Sequence, residues 1–207
     1  MNKLFKTAGI GLSLLLAAGV ALAQSETPEE ASPAAVVERL HAALIEAMSG
    51  AERLGFDGRV ALLEPVLSDS FDFETIARIV TGAAWKEASE EQKDQFLRTF
   101  AALSTSTYAS NFDSFAGQHF ETVSSTEARR GQIVKTHLVA SDGTKIPFNY
   151  MLRKSDSGWR IVNVIAQGIS DLSLKRAEYA AVIKSSGFGT LLSLLDEKVR
   201  GLQNVAN

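Results

Sequence analysis

The 207-residue sequence contains no cysteine. A fold without cysteine has neither disulfides nor thiolate metal ligands, and it offers no residue for a lipoprotein anchor. The three histidines, His41, His119 and His137, lie far apart and lack the spacing of a metal site. We interpret each histidine as an ordinary surface or half-buried residue. Stability is therefore expected to come from packing alone.

Sequence signatures of enzymes are also missing. We find no Gly-x-Ser-x-Gly elbow, no phosphate-cradling glycine loop and no dinucleotide fingerprint. Asp72 and Glu74 form a carboxylate pair, but a role for Asp72 as a helix cap explains it more simply. Acid–base catalysis needs converging partners that the sequence does not identify. We predict that the protein is not an enzyme, with no catalytic residue, no metal and no cofactor.

The amino terminus has the pattern of a secretory signal peptide. Lys3 and Lys6 precede an uncharged run from 7 to 25, and Ala21-Leu22-Ala23 places small residues at a cleavage site. We predict a signal peptide over 1–23, cleavage after Ala23 and export out of the cytoplasm. An uncleaved anchor is the alternative, since the uncharged run approaches the roughly 20 residues that span a bilayer.

The residues after the predicted cleavage site are mildly acidic. Removing 23 of the 207 residues leaves 184, and two of the 21 basic residues leave with them, so 19 remain against 24 acidic ones, a net charge of −5. This balance argues against nucleic acid as a partner. Residues 24–32 are polar and predict a flexible leader. Residues 33–203 are long enough for one domain with a substantial core.

The first half of this domain carries helix signals. Ser32-Pro33 predicts a helix start, and a second helical segment is predicted to end or bend at Pro65. Asp72 is predicted to cap a short helix that stops at Gly82. Residues 89–92, Ser-Glu-Glu-Gln, form a capping box ahead of a long helix.

After Gly117 the apolar pattern alternates, which predicts strands. Ser141-Asp142-Gly143-Thr144 is a strong hairpin signal. Ser170 is predicted to cap a helix to Ser186, and Gly187 separates it from a final helix. The order of helices, antiparallel strands and helices predicts an α+β class. The predicted strands cover 118–124, 131–140, 145–153 and 158–166.

Large apolar side chains are plentiful in the second half and in the helices around it, as at Phe96, Phe148 and Trp159. These residues can form a filled core, or they can line a cavity that takes an apolar ligand. Periodicity does not separate the two, because both use the same residues.

An ordered set of motifs is similar to the MlaC family, also called the toluene-tolerance auxiliary or phospholipid-binding family. The resemblance covers roughly residues 33–200. Two details, 54–59 (Leu-Gly-Phe-Asp-Gly-Arg) and 176–179 (Arg-Ala-Glu-Tyr), resemble its hopanoid-associated branch, HpnM. Asn163 and Gln167 stand where the family often has an acidic residue. The motifs that carry the resemblance are Phe71-Asp72-Phe73, Ile76-Ala77-Arg78, Gly82, Trp85, Gln92, Phe96, Phe100, Thr107-Tyr108, Gly117, Phe120, Thr136, Pro147-Phe148-Asn149-Tyr150, Gly158-Trp159-Arg160-Ile161, Gly168-Ile169-Ser170, Tyr179 and Gly187-Phe188.

The resemblance implies a monomeric periplasmic shuttle that carries a phospholipid or a hopanoid-type lipid. Its partners are implied to be an inner-membrane ABC-type lipid transporter complex and an outer-membrane lipoprotein complex. The implied fold is a curved four-stranded antiparallel sheet, covered by helices from both ends of the chain. It would enclose an apolar cavity for the lipid tails and leave the headgroup near solvent.

The residues that we predict to contact the lipid are mostly apolar. Arg153, Lys175 and Arg176 are candidates for an anionic headgroup at the cavity mouth. The candidates for the lipid tails are Phe96, Phe100, Leu103, Phe148, Tyr150, Val162, Val164, Ile183, Leu191 and Leu195.

Two other classes of function stay open at this point. One is a small enzyme on a cone-shaped α+β fold, with an acid such as Asp72 near Tyr150. The other is an envelope adaptor that binds no ligand and has a filled interior and an exposed apolar patch. The volume of the interior cavity discriminates among the three.

Overall fold

A computed structural model describes residues 31–205. The predicted signal peptide and most of the predicted leader lie outside the described residues. Two helices, α1 and α2, come first, and further helices precede and follow the sheet. The elements are α1 Pro33–Ser49, α2 Ala51–Ser70, α3 Phe73–Thr81, α4 Ala84–Glu87, α5 Glu90–Asn111, β1 His119–Ala128, β2 Gly131–Val139, β3 Lys145–Ser155, β4 Gly158–Ala166, β5 Ile169–Ser170, α6 Asp171–Ser186 and α7 Phe188–Val205. Within residues 31–205, none of the helices combines the length and apolar character needed to cross a membrane.

The predicted helix caps are confirmed. The Ser32 hydroxyl accepts from the Ala35 amide at 3.2 Å, and the Asp72 carboxylate accepts from the Thr75 amide at 2.8 Å. At the start of α5 both hydrogen bonds of the capping box between Ser89 and Gln92 are present. Each such cap is worth about 1 kcal/mol, so these local signals position the helix starts.

Of the two outcomes predicted at Pro65, a helix end or a bend, the end is wrong, because α2 continues through Pro65 to Ser70. Its one departure from helical geometry lies at Gly55, where φ is +60°. A proline inside a helix costs about 3 kcal/mol. Leu63 and Leu67 are both fully buried beside it, and each buried leucine contributes about 1.5–3 kcal/mol. Packing therefore outweighs the hydrogen bond that Pro65 cannot make.

The sheet has five strands in the order β1-β2-β3-β4-β5, all antiparallel. The four predicted strands are present, but the count of four is corrected to five by the two-residue strand β5. Gln167 and Gly168 both have positive φ, 53° and 82°, and this tight turn folds β5 back onto β4. A strand of two residues is too short to show an alternating apolar pattern, so its sequence does not predict it.

The sheet is curved. Register shifts lie between Thr122 and Ser124 in the β1–β2 pair and between Met151 and Leu152 in the β3–β4 pair. A bulge inserts an extra residue in one strand and bends it.

The core consists of two clusters. The first packs α1 and α2 on the sheet and includes Leu40, Leu63, Val134 and Tyr150. The second joins α3, α5, α6 and α7. Three large side chains pack against both clusters, namely Phe71, Phe73 and Leu202. Space remains where these three residues meet.

Candidate ligand cavity

A cavity of about 870 Å³ lies between the sheet and helices α3, α5, α6 and α7. Its volume falls within the range of about 300–1,000 Å³ that is usual for ligand pockets. The aromatic part of its lining is Phe71, Phe73, Phe100, Tyr108, Phe112, Phe148 and Tyr179. The aliphatic part is Ile76, Leu103, Leu138, Val162, Val164, Leu172 and Leu202. The sheet and the helices therefore leave between them a half-open cavity with a predominantly apolar lining.

The junction of α2 and α3 positions one aromatic wall. The amide of Asp72 donates to the carbonyl of Ile161 in β4 at 3.0 Å, and Phe71 forms an isolated bridge with Ile161. This anchoring holds the rings of Phe71 and Phe73 together, with centroids 5.7 Å apart. The ring of Tyr108 from α5 lies 6.0 Å from that of Phe71. Side chains from three segments thus form one continuous apolar surface.

The edge of the cavity where α6 meets α7 is charged. Lys175 pairs with Asp171 within α6 at 2.6 Å. Lys198 of α7 pairs with Glu178 of α6, which links the two helices. All four side chains line the cavity. This rim presents equal numbers of positive and negative charges, so a ligand's polar end would meet both signs there.

Two tyrosines, Tyr108 and Tyr179, line the cavity. Burial raises the pKa of Tyr108, and the nearby carboxylate of Asp171 raises it further. Burial likewise raises the pKa of Tyr179, and the nearby carboxylates of Glu178 and Asp171 raise it further. Both hydroxyls are therefore neutral at physiological pH and can donate hydrogen bonds.

Asn163 joins β4 to the start of α6 at the cavity wall. Its side-chain oxygen accepts from the Ser170 hydroxyl at 3.2 Å and from the Leu172 amide at 3.1 Å. The Asn163 side chain thus accepts a hydrogen bond from a backbone N–H group at the start of α6 that has no partner within the helix, and it does so without adding charge. The neutral residue at this position therefore has a structural role in the described part of the chain.

Five of the ten predicted tail residues line the cavity, namely Phe100, Leu103, Phe148, Val162 and Val164. Phe96, Leu191 and Leu195 are instead fully buried in the second cluster, and Ile183 packs against it half-buried. The ring of Phe96 is surrounded by other aromatic rings, including Phe100 at 5.5 Å, which leaves no side of it free for a ligand.

Tyr150 belongs to the first cluster rather than to the cavity wall. Its hydroxyl shares a hydrogen bond of 3.0 Å with Nε2 of His41, and the His41 ring stacks on Phe120 with centroids 3.7 Å apart. His41 is thus buried, whereas the sequence suggested a surface or half-buried residue. Asp72 is engaged in its helix cap, so the structure does not join it to Tyr150 as an acid–base pair.

The three predicted headgroup residues are separated. Lys175 lies on the charged rim of the cavity. Arg176 is exposed on α6 and does not line the cavity. Arg153 lies in another indentation of the surface. Within residues 31–205, no three histidine or carboxylate side chains come close enough together to hold a metal ion.

Sequence reasoning missed part of the lining. Phe71 and Phe73 flank a helix boundary, where no single periodicity applies. Along α5, however, the lining residues recur at helical spacing, and this spacing in the sequence could have predicted which face of α5 lines the cavity. Its members are Phe100, Leu103, Ser104, Thr107, Tyr108 and Asn111.

The fold and cavity define an α+β protein built around an apolar interior space with a charged rim. A model of the MlaC protein family matches residues 38–197 of this sequence. The chain therefore belongs to the MlaC family.

Two known proteins resemble this chain. The intermembrane phospholipid transport system binding protein MlaC of Haemophilus influenzae is 20% identical over 123 residues, which cover 57% of this chain and 58% of that protein. The chain thus spans less than two thirds of the length of this curated relative. A solved structure of the phospholipid-binding protein from Ralstonia solanacearum, in complex with a phospholipid, superposes with a TM-score of 0.70 at 22% identity. That match covers 81% of this chain and 94% of the other, and it shows that the two share a fold. The hopanoid-associated branch stays a prediction.

Proposed function

We propose that this protein binds a phospholipid in its interior cavity and carries it through the periplasm between membrane complexes. The observation that carries the proposal is the apolar cavity of about 870 Å³, which the helices and the sheet leave unfilled. Membership of the MlaC family supports it, as does the phospholipid bound to a protein of the same fold. A hopanoid-type lipid is the alternative cargo.

A carrier of this kind lowers a physical barrier rather than a chemical one. Exposing lipid tails to water costs about 0.8 kcal/mol per methylene, so some 30 methylenes cost on the order of 24 kcal/mol. An apolar lining removes most of that cost during transit. The carrier performs no reaction, so the direction of transport comes from its partners. We propose these to be an inner-membrane ABC-type transporter complex and an outer-membrane lipoprotein complex.

The cavity suggests where each part of the lipid lies. The tails would contact the apolar lining from α5, β3 and β4, including Phe100, Phe148 and Val164. The headgroup would lie at the rim, where Lys175 and Lys198 can meet a phosphate. Asp171 and Glu178 can meet an amine of a zwitterionic headgroup. Arg176 and Arg153 take no part in this arrangement.

The test is to purify the protein gently from its host, extract it with organic solvent and identify bound lipid by mass spectrometry. We expect a phospholipid in near-stoichiometric amount. Finding only a hopanoid would identify the cargo as a hopanoid instead of a phospholipid, and finding no lipid would contradict the proposal. Sequencing the amino terminus of the exported form tests the shuttle role, because we expect it to begin at Gln24. Retention of residues 1–23 would instead indicate a tethered protein.

A further inference from the structure

Arg153 lies in a second indentation, which we call the basic notch. It has a volume of about 370 Å³ and is lined by Arg130, Gly131, Arg153, Lys154 and Trp159. The notch lies where the β1–β2 turn approaches the ends of β3 and β4. Arg153 lies five positions along β3 from the cavity residue Phe148, a distance of about 17 Å along the strand. The notch is therefore distinct from the lipid cavity.

The backbone builds one wall of the notch. Gly131 has a φ of +144°, and a Cβ atom at this position would lie 1.9 Å from the carbonyl oxygen of Leu152. Only glycine permits so close an approach, which brings the β1–β2 turn against the backbone of Leu152 and Arg153. Trp159 packs against the first core cluster and forms a rigid aromatic wall. The fold thus sets the backbone of the turn and the position of Trp159.

The guanidinium of Arg153 lacks a partner in the described part of the chain. Its Nε atom is buried and makes no hydrogen bond. Arg160 lies directly opposite on β4, but its guanidinium turns to the carbonyl oxygens of Ser68 and Asp69. A buried donor without a partner costs about 1–3 kcal/mol, and more for a charged group. Such a donor in a native structure calls for a ligand or a water.

No carboxylate offsets the two arginines of the notch. Within residues 31–205, neither Arg130 nor Arg153 forms an ion pair, and no aspartate or glutamate lines the notch. Two cationic groups that line one indentation disfavour each other, and an anion bound there offsets that repulsion. Guanidinium N–H groups match the oxygens of phosphate in a two-pronged geometry.

We propose that the basic notch binds a phosphate group, with the guanidinium groups of Arg153 and of Arg130 in the β1–β2 turn donating to its oxygens. The phosphate can be free in solution or belong to a lipid headgroup at a membrane surface. Both sources present the same oxygens to the notch. This site does not depend on a lipid in the interior cavity.

Calorimetric titration of the purified protein with inorganic phosphate tests the proposal. We expect binding that weakens about tenfold or more in Arg153→Gln and in Arg130→Gln, because each loses charged hydrogen bonds. Arg153→Lys keeps the charge but loses the planar guanidinium with its paired donors, so we expect it to weaken binding as well. Arg129→Gln is the matched control, because Arg129 is exposed beside Arg130 but does not line the notch.

Vesicles distinguish the two sources of phosphate. Cosedimentation compares phosphatidylcholine vesicles with vesicles that also contain phosphatidic acid. A gain on phosphatidic acid that is lost in Arg153→Lys assigns the notch to lipid headgroups, whereas binding of inorganic phosphate alone assigns it to soluble phosphate. Absence of both kinds of binding in the unmodified protein overturns the proposal. An equal loss in Arg129→Gln also overturns it, since general surface charge would then explain the binding.

Discussion

Val164 and Val134 offer a matched pair of positions for testing whether the interior cavity is real. Both are valines and both pair with Tyr150, Val134 from β2 and Val164 from β4. Val134 is fully buried in the first core cluster, whereas Val164 lines the cavity. A larger side chain in a packed core costs about 1–3 kcal/mol. The same side chain at a cavity wall has free space to occupy.

We expect Val134→Phe to lower the free energy of unfolding by about 1–3 kcal/mol, which lowers the melting temperature by roughly 2–12 °C for a chain of this size. For Val164→Phe we expect a change within about 0.5 kcal/mol, as at sites without tight packing. Urea unfolding of delipidated protein gives both values. Delipidation is needed because a bound ligand adds stability of its own.

Val164→Phe is also expected to reduce the lipid that copurifies, because the added ring occupies the cavity. Val134→Phe leaves the cavity open, so its folded fraction should retain lipid. Equal destabilisation by the two substitutions would refute the reasoning, since it would mean that the space at Val164 is filled. Full retention of lipid in a stable Val164→Phe protein would place the tails elsewhere.

Two further predictions concern stability. His41 is only 5% exposed, and burial lowers its pKa to about 4 from an ordinary 6.5. The unfolded chain therefore binds a proton on His41 more readily than the folded chain does. The contribution of His41 to the free energy of unfolding is full above pH 6.5, and it falls by about 3 kcal/mol as the pH drops toward 4. Urea unfolding at several pH values should show this loss in the unmodified protein and a smaller one in His41→Gln; identical pH profiles would contradict it. Arg59 is buried and donates to the carbonyl of Ala109 at 2.9 Å, which ties α2 to the end of α5. Arg59→Met should cost about 1.5–3 kcal/mol, because a charge-assisted hydrogen bond is lost, and an unchanged thermal melt would show that this bond contributes nothing.

Features with local causes could be predicted from the sequence. Asp72 and Ser89 begin helices because their side chains satisfy amides two or three residues ahead, whatever the rest of the fold does. The Asp142-Gly143 turn joins β2 and β3 for a similar reason, since glycine allows the φ of +83° observed there. The α+β order follows from these local signals.

Features that depend on tertiary packing could not be predicted in the same way. Phe96 and Phe100 are one helical turn apart and both apolar, yet one fills the core and the other lines the cavity. Their difference arises from neighbours such as Trp85 of α4 and Phe188 of α7, whose rings pack against Phe96 from other helices. Likewise, Pro65 does not end α2, because burial of the leucines beside it comes from distant contacts.

The most direct test of the central claim is photolabelling with a phospholipid that carries a diazirine in one acyl tail, followed by peptide mass mapping. We predict labels on Phe100 and Leu103 of α5 and on Val162 and Val164 of β4. No label is expected on Leu44, which is fully buried in the first core cluster. Labels confined to the outer surface, or no label above that of a tail-free control, would contradict a lipid in the cavity.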